Sequence, residues 1–210
     1  MKEKEKNNNK DGMEISILNV AEKLFLEKGF NGVSTTQIAK IVGCNQALIH
    51  YYYRTKANLF QKVFENKLKY IISLFETIDD KNLSFQERLV IKIKSHFDAL
   101  SQNPLLPMFI LNEIRSNSST ISIIRETFKR EAPILINRFE EELKIEINAK
   151  RIRNISALDL LMNIISLNIF VFLTRPIMEY VFVIDETKKN EMLENRKQEI
   201  VNTILNSLRP

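Results

Sequence analysis

The stretch STTQIAKIVGCNQALIHYYYRTKANLF, residues 34–60, decides the fold. Ser34 to Gln37 has the form of a capping box, with Ser34 as cap and Gln37 reaching back to it. Ile38, Ala39 and Val42 then recur at helical spacing, and Gly43 breaks the helix after about two turns. A third short helix is expected from Asn45 to Tyr52, and Thr55 can cap a fourth. Upstream, Ile17, Leu18, Ala21, Leu24, Phe25 and Lys28 fall at three- and four-residue steps and build one stripe. Gly29 is placed to end that helix in a left-handed conformation. Three short helices, with a glycine-containing turn between the second and third, form the spacing of a helix-turn-helix.

The third helix is too short and too polar at its start to be a core helix. Asn45, Gln46 and Ala47 are small or hydrogen-bonding, which lets a helix approach base edges, and amides can read adenine. His50-Tyr51-Tyr52-Tyr53-Arg54-Thr55-Lys56 is aromatic and basic, and such hydroxyls and cations can hold phosphates. Read alone, His50 is equally a surface histidine, Tyr53 a core residue and Cys44 a small apolar side chain in the turn.

The same residues resemble the TetR (tetracycline-repressor-like) family of regulators. The resemblance runs from Ile17-Leu18-x-x-Ala21 through Leu24-Phe25-x-x-Lys28-Gly29-Phe30 and Thr35-x-x-Ile38-Ala39 to Gly43. It continues through Tyr51-Tyr52-Tyr53-x-x-Lys56-x-x-Leu59-Phe60. It implies that Thr35 and Thr36 contact phosphate and groove edge. It implies that Asn45, Gln46, Ala47, Leu48 and His50 lie in the reading stretch, and that Tyr51, Tyr52 and Lys56 anchor the DNA backbone. His50 stands where the family usually has Tyr, and Tyr52 where it often has His, so the two side chains look exchanged. The implied partners are a near-palindromic duplex operator, a second copy of the chain, and a small apolar or amphipathic effector that releases a repressor. A homodimer would hold two heads one helical turn of DNA apart, about 34–36 Å.

Outward from the head, periodicity predicts helices throughout. Phe60, Phe64, Leu68, Ile71, Phe75 and Ile78 mark a long fourth helix ended by Asp79 to Asn82. Phe85, Leu89, Ile93, Phe97 and Leu100 mark a fifth, Asn103-Pro104 a break, and Pro104 to Arg115 a sixth. Ser116 to Ser119 reads as a turn. A seventh helix begins near Thr120, and Pro133 inside it predicts a kink or break near Glu131. Ser156 to Leu173 is apolar nearly all round, Pro176 interrupts it, and a last helix runs from Thr187 to Leu208. The expected fold class is all-α with about nine helices: a mobile tail at 1–12, a DNA-binding head at 13–55, and a larger ligand-binding and dimerisation domain at 56–210.

Leu161, Ile165, Ile169 and Phe172, with Leu193, Ile200, Ile204 and Leu208, exceed what one face buries within a small subunit. They are the expected dimer interface, the alternative being an ordinary intramolecular core. The expected effector pocket takes apolar walls from Phe97, Met108, Phe109, Phe128 and Phe139. Its polar contacts come from His96, Asn112, Glu113 and Asn163, Glu113 alternatively being a surface residue.

Composition limits the alternatives. The 210 residues include 4 Gly and 5 Pro, and the net charge is +5. Nine basic against six acidic residues in the first 56 carry more than half of that surplus. One cysteine excludes an internal disulfide framework. Two histidines and that cysteine offer no catalytic pair, and no phosphate-cradling loop, metal-spaced cluster or nucleophile motif occurs. No enzyme, metal or cofactor is therefore expected. The polar opening residues carry no secretory signal. Leu160 to Ile184 holds Asn163, Ser166, Asn168, Arg175 and Glu179, too many polar groups for a membrane span. The expected location is cytoplasmic. The competing function is a helical interaction module whose helix-turn-helix binds protein.

Overall fold

The computed structural model describes residues 2–76, 82–116, 118–182 and 186–210, with the side chains of 2–11 and a few others left out. Among the described residues there are nine α-helices and no strand. They are α1 (Lys2–Lys28), α2 (Thr35–Val42), α3 (Gln46–Tyr53), α4 (Lys56–Ser73), α5 (Phe85–Gln102), α6 (Leu106–Ser116), α7 (Ser118–Asn148), α8 (Ala157–Phe182) and α9 (Glu186–Ser207). The polar opening segment is continuous with α1. The expected end of α4 falls largely outside the described residues, as does Ile78.

Two compact units are present: residues 1–68 with 108–126, and residues 69–107 with 127–210. The division expected at residue 55 lies inside the first. Its core follows the stripe of α1: Ile17, Ala21 and Phe25 are fully buried, and Ile38, Ile49, Leu59 and Phe60 join them. Three phenylalanines stack around the end of α1. Phe25 and Phe60 meet edge to face at 5.2 Å, and Phe30 and Phe60 at 5.0 Å.

In the second unit α5 packs on α8 and α9, which also pack on each other. The buried face of α8 is Leu160, Leu161, Ile164, Asn168 and Phe172, at three- and four-residue steps. Ser84 caps α5 with a full capping box to Glu87, a signal present in the sequence that periodicity alone did not use. Lys92, 1% exposed, donates to the Phe75 and Glu76 carbonyls at 2.9 and 3.1 Å and lies over the Phe139 ring. Burial pulls its pKa below the ordinary lysine range; Glu142 opposes that shift and Arg88 reinforces it.

Two sequence expectations change. α7 continues through Pro133 and α8 through Pro176 without a break. A proline removes one amide donor, and the turns on either side retain enough bonds to carry the helix on. α8 is also not buried all round. Leu158, Met162, Phe170, Ile177 and Val181 are 56 to 64% exposed. By length and mean hydropathy, 1.9 over Ala157–Val181, it is long and apolar enough to cross a membrane. Asn168 is wholly buried and hydrogen-bonded into α5, so this face of α8 packs in the core of the second unit.

Candidate nucleic-acid interface

The chain turns into α2 and α3 by local chemistry. Gly29 (φ 67°) ends α1, its N–H donating to the Phe25 carbonyl at 2.9 Å. The Ser34 hydroxyl accepts from the Gln37 amide at 3.2 Å, and the Gln37 side chain accepts from the Ser34 amide at 3.0 Å. The capping box thus forms as read. Gly43 (φ 77°) closes α2 in the left-handed region, where a side chain would be strained.

α3 is anchored by Ile49 and Tyr53, 1% and 7% exposed, which share one face at i and i+4. The Tyr53 hydroxyl donates to the Glu14 carbonyl at 3.3 Å. Burial pushes its pKa up to about 12, with Glu14 and Tyr52 adding to the shift, so it stays a donor. The opposite face of α3 presents Gln46, Ala47, His50 and Tyr51 outward, with Leu48 and Tyr52 half-buried beside them.

Several of these side chains already have work. Asn45 is the cap of α3, its side-chain oxygen accepting from the Ala47 amide at 3.0 Å. The Gln46 amide donates to the Thr35 hydroxyl at 2.8 Å and accepts from Thr36 at 3.2 Å, tying the start of α3 to the start of α2. His50 Nδ1 lies 2.8 Å from the Arg54 carbonyl. A carbonyl only accepts, so Nδ1 carries the proton in this contact. That contact supports Arg54, a non-glycine residue held at φ 65°. The guanidinium of Arg54, part of the basic stretch read in the sequence, is exposed, and exposed Lys40 is a further cation to which the sequence reading gave no role. Tyr51 and Tyr52 pack edge to face at 5.3 Å. Lys56 is half-buried, its ammonium donating to the Phe30 and Val33 carbonyls at 2.9 Å each while lying 4.2 Å from the Phe30 ring centroid. Lys56 therefore holds the α1–α2 loop.

The other face of that loop is held from α6. Glu113, 5% exposed, accepts from the Phe30 amide at 3.0 Å. Sequence reading left Glu113 open between pocket and surface; it is a buried clasp of the head.

Residues 17–63 match the family model described as bacterial regulatory proteins, tetR family. Over residues 17–63 the chain is similar to that family. The biofilm operon icaADBC negative transcriptional regulator IcaR of Staphylococcus epidermidis is 31% identical over 86 residues, 41% of this chain and 46% of that protein. The chain thus spans less than half the length of that curated relative. Among solved structures, FadR from Bacillus subtilis in complex with stearoyl-CoA has a TM-score of 0.67 at 19% identity, covering 93% of this chain and 99% of that one. FadR from Bacillus halodurans has a TM-score of 0.69 at 20% identity, covering 94% and 96%. At such identities the likeness is one of fold, and it extends well beyond residues 17–63.

The expected effector residues are divided between the two units, Phe97 and Phe139 sharing the core of the second. His96, Phe97 and Phe139 are buried in the second unit, 1 to 2% exposed. Phe109 belongs to the first unit, 5.9 Å from the rings of Phe60 and Phe64. Met108, Asn112 and Asn163 are exposed, and the Phe128 side chain lies outside the described residues. Asn168 takes the place expected for Asn163, because it continues the Leu160–Ile164–Phe172 face.

The expected dimer residues lie mostly inside the single chain. Leu161, Phe172, Leu193, Ile200, Ile204 and Leu208 are at most 8% exposed within a single chain, and Ile165 and Ile169 pack partly against the same core. Side chains already buried at home have little area left for a partner. The apolar surface α8 leaves uncovered is Leu158, Met162, Phe170, Ile177 and Val181. Beside it, Phe170, Val171, Thr174, Arg175, Met192 and Arg196 line a groove of about 310 Å³ between α8 and α9.

Proposed function

We propose that this chain is a sequence-specific, DNA-binding transcription regulator that works in the cytoplasm as a homodimer, and that it is a repressor released by a small apolar or amphipathic ligand. The observation that carries the reading is α3. It is a short helix fixed on one side by Ile49 and Tyr53 and open on the other, where Gln46, Ala47, His50 and Tyr51 stand side by side. An amide, a small residue, an imidazole and a phenol on one exposed face suit base edges and phosphates. The tetR-family head and the regulatory role named for IcaR support it.

Thr35, Thr36 and Gln46 are already bonded to one another, so recognition exchanges their mutual bonds for bonds to DNA. Asn45 acts by capping the reading helix, and Lys56 by fixing the loop behind it while keeping donor capacity for a phosphate. One such helix makes few contacts, so two heads are needed. The uncovered stripe on α8 is the face we assign to the second copy. Large side chains at i, i+4 spacing over a helix of this length suit a helix-to-helix interface. The ligand part of the reading draws on the stearoyl-CoA complex of the B. subtilis neighbour. A ligand acts only by favouring one arrangement of the protein over another.

The test is fluorescence anisotropy on duplexes recovered from genome-fragment selection with the purified protein. DNA binding predicts one enriched, near-palindromic site and a steep log–log dependence of affinity on salt. A module that uses this head for protein contacts would show neither, and that result would end the proposal.

A further inference from the structure

We propose that His96 and Asn168 together form the recognition point for a small, neutral, largely apolar molecule bearing a hydroxyl or carboxamide group. The assignment rests on the effector-responsive reading above and names the chemical class of the effector. His96 on α5 and Asn168 on α8 are 1% and 0% exposed. The Asn168 side-chain nitrogen donates to the Ile93 carbonyl at 3.0 Å and lies 3.0 Å from His96 Nδ1. An amide nitrogen only donates, so Nδ1 accepts, the imidazole is neutral, and its proton sits on Nε2.

Two atoms are then left over. His96 Nε2–H and the Asn168 side-chain oxygen have no hydrogen-bond partner among the described residues. One is a donor, the other an acceptor, and both are buried among aromatic rings. The Phe75 ring lies 5.0 Å from the imidazole, and Phe97 and Phe172, neighbours on the same two helices, pack at 5.2 Å. Buried polar groups in folded proteins find partners, and a pair needed only to fix helix register would not leave one donor and one acceptor bare.

The pair selects by hydrogen-bond type. A hydroxyl or a carboxamide accepts from Nε2–H and donates to the Asn168 oxygen. A carboxylate has no proton for that oxygen, an ammonium has no lone pair for Nε2–H, and an ether can only accept. Lys92, one turn earlier on α5, does not rescue an anion, because its ammonium is turned to the Phe75 and Glu76 carbonyls.

Four probes with one chain length test this on the DNA-free, full-length protein: 1-octanol, octanamide, 1-methoxyoctane and octanoate. Binding is read by thermal shift and by the ring-nitrogen resonances of histidine-labelled protein, where only His50 and His96 contribute. The alcohol and the amide should raise the melting temperature saturably and move the His96 Nε2 resonance. They should bind at least about 10-fold tighter than the ether or octanoate, the ratio expected for a hydrogen bond gained. The paired change His96→Phe with Asn168→Leu removes both bare groups and should abolish the preference. Should that variant not fold, the resonance measurement on the parent still decides. Octanoate or the ether binding as tightly as the alcohol, an alcohol that leaves His96 unmoved, or no response to any probe overturns the proposal. Duplex binding is measured separately, so failure of the regulatory reading would be seen as loss of DNA affinity, whatever these probes do.

Discussion

Lowering the pH should destabilise this protein through His96. The ring is buried and takes a hydrogen bond at Nδ1 from a group that can only donate. Protonation would set two N–H groups head to head and leave a charge among phenylalanines. Burial accordingly lowers its pKa from 6.5 to about 4. This is a base with a depressed folded-state pKa, so between about 4 and 6.5 the unfolded chain binds a proton that the native chain does not. Stability therefore rises with pH across that window, and is lost as pH falls through it. The full loss is about 3 kcal/mol, from 1.36 kcal/mol per pKa unit, and about 2 kcal/mol of it is reached by pH 5. Urea unfolding at pH 7.5, 6 and 5, at one fixed protein concentration, measures it. The His96→Gln variant is the control, because it keeps an acceptor for Asn168 and cannot titrate. Losses from carboxylates are common to both proteins and cancel. The parent should lose about 2 kcal/mol more than the variant between pH 7.5 and 5. Parallel curves for the two would refute the placement of His96 as a neutral, buried acceptor.

Glu113→Ala should lower stability by about 1–3 kcal/mol in thermal or urea unfolding, because it leaves the Phe30 amide without its acceptor, while Glu113→Gln retains most of it. Gly29→Ala should also lower the melting temperature: φ is 67°, and the added carbon would sit 3.3 Å from the Glu113 carboxylate. Met162→Glu, at a residue 56% exposed, should leave urea stability of the separated chain unchanged yet shift sedimentation from dimer to monomer. Gln46→Ala should relax sequence preference at one position per half-site in anisotropy competition. Lys56→Gln should both reduce the salt slope by about one per subunit and lower the melting temperature, since Lys56 also holds two carbonyls of the loop.

The head was legible because its signals are local. A capping box spans four residues, a left-handed glycine one, and the stripe of α1 repeats within a dozen. Each appears in the structure where the sequence put it: Ser34 with Gln37, Gly29, Gly43, and Ile17 with Ala21 and Phe25. What the sequence could not supply was the work each polar side chain does at home. Asn45, Gln46, His50 and Lys56 all suit DNA by type, and type does not reveal that each also braces the helix that presents it. Those contacts join residues 2 to 26 positions apart and depend on how the turns close.

The second unit was harder to read for a related reason. A helix apolar on every side has no phase, so its periodicity cannot say which stripe faces inward. On α8 the sequence reading turned Leu161, Ile165, Ile169 and Phe172 to a partner and Asn163 to a pocket, whereas Asn168 with Leu160, Ile164 and Phe172 turns to the core. Only packing against α5 and α9 settles it, and it places Leu161 in the core too. A polar residue is the one phase marker such a helix carries, because the cost of burying it demands a partner at a fixed distance. Asn168 has that partner in His96, three residues after its second contact, Ile93. An asparagine in an apolar helix and a histidine in the helix it packs on, each at the centre of its stripe, are therefore the pair to seek when hydrophobic periodicity is silent. Because the pair leaves a donor and an acceptor bare, the feature that fixes the phase of α8 is also the one to which the hydroxyl or carboxamide of the proposed effector is assigned.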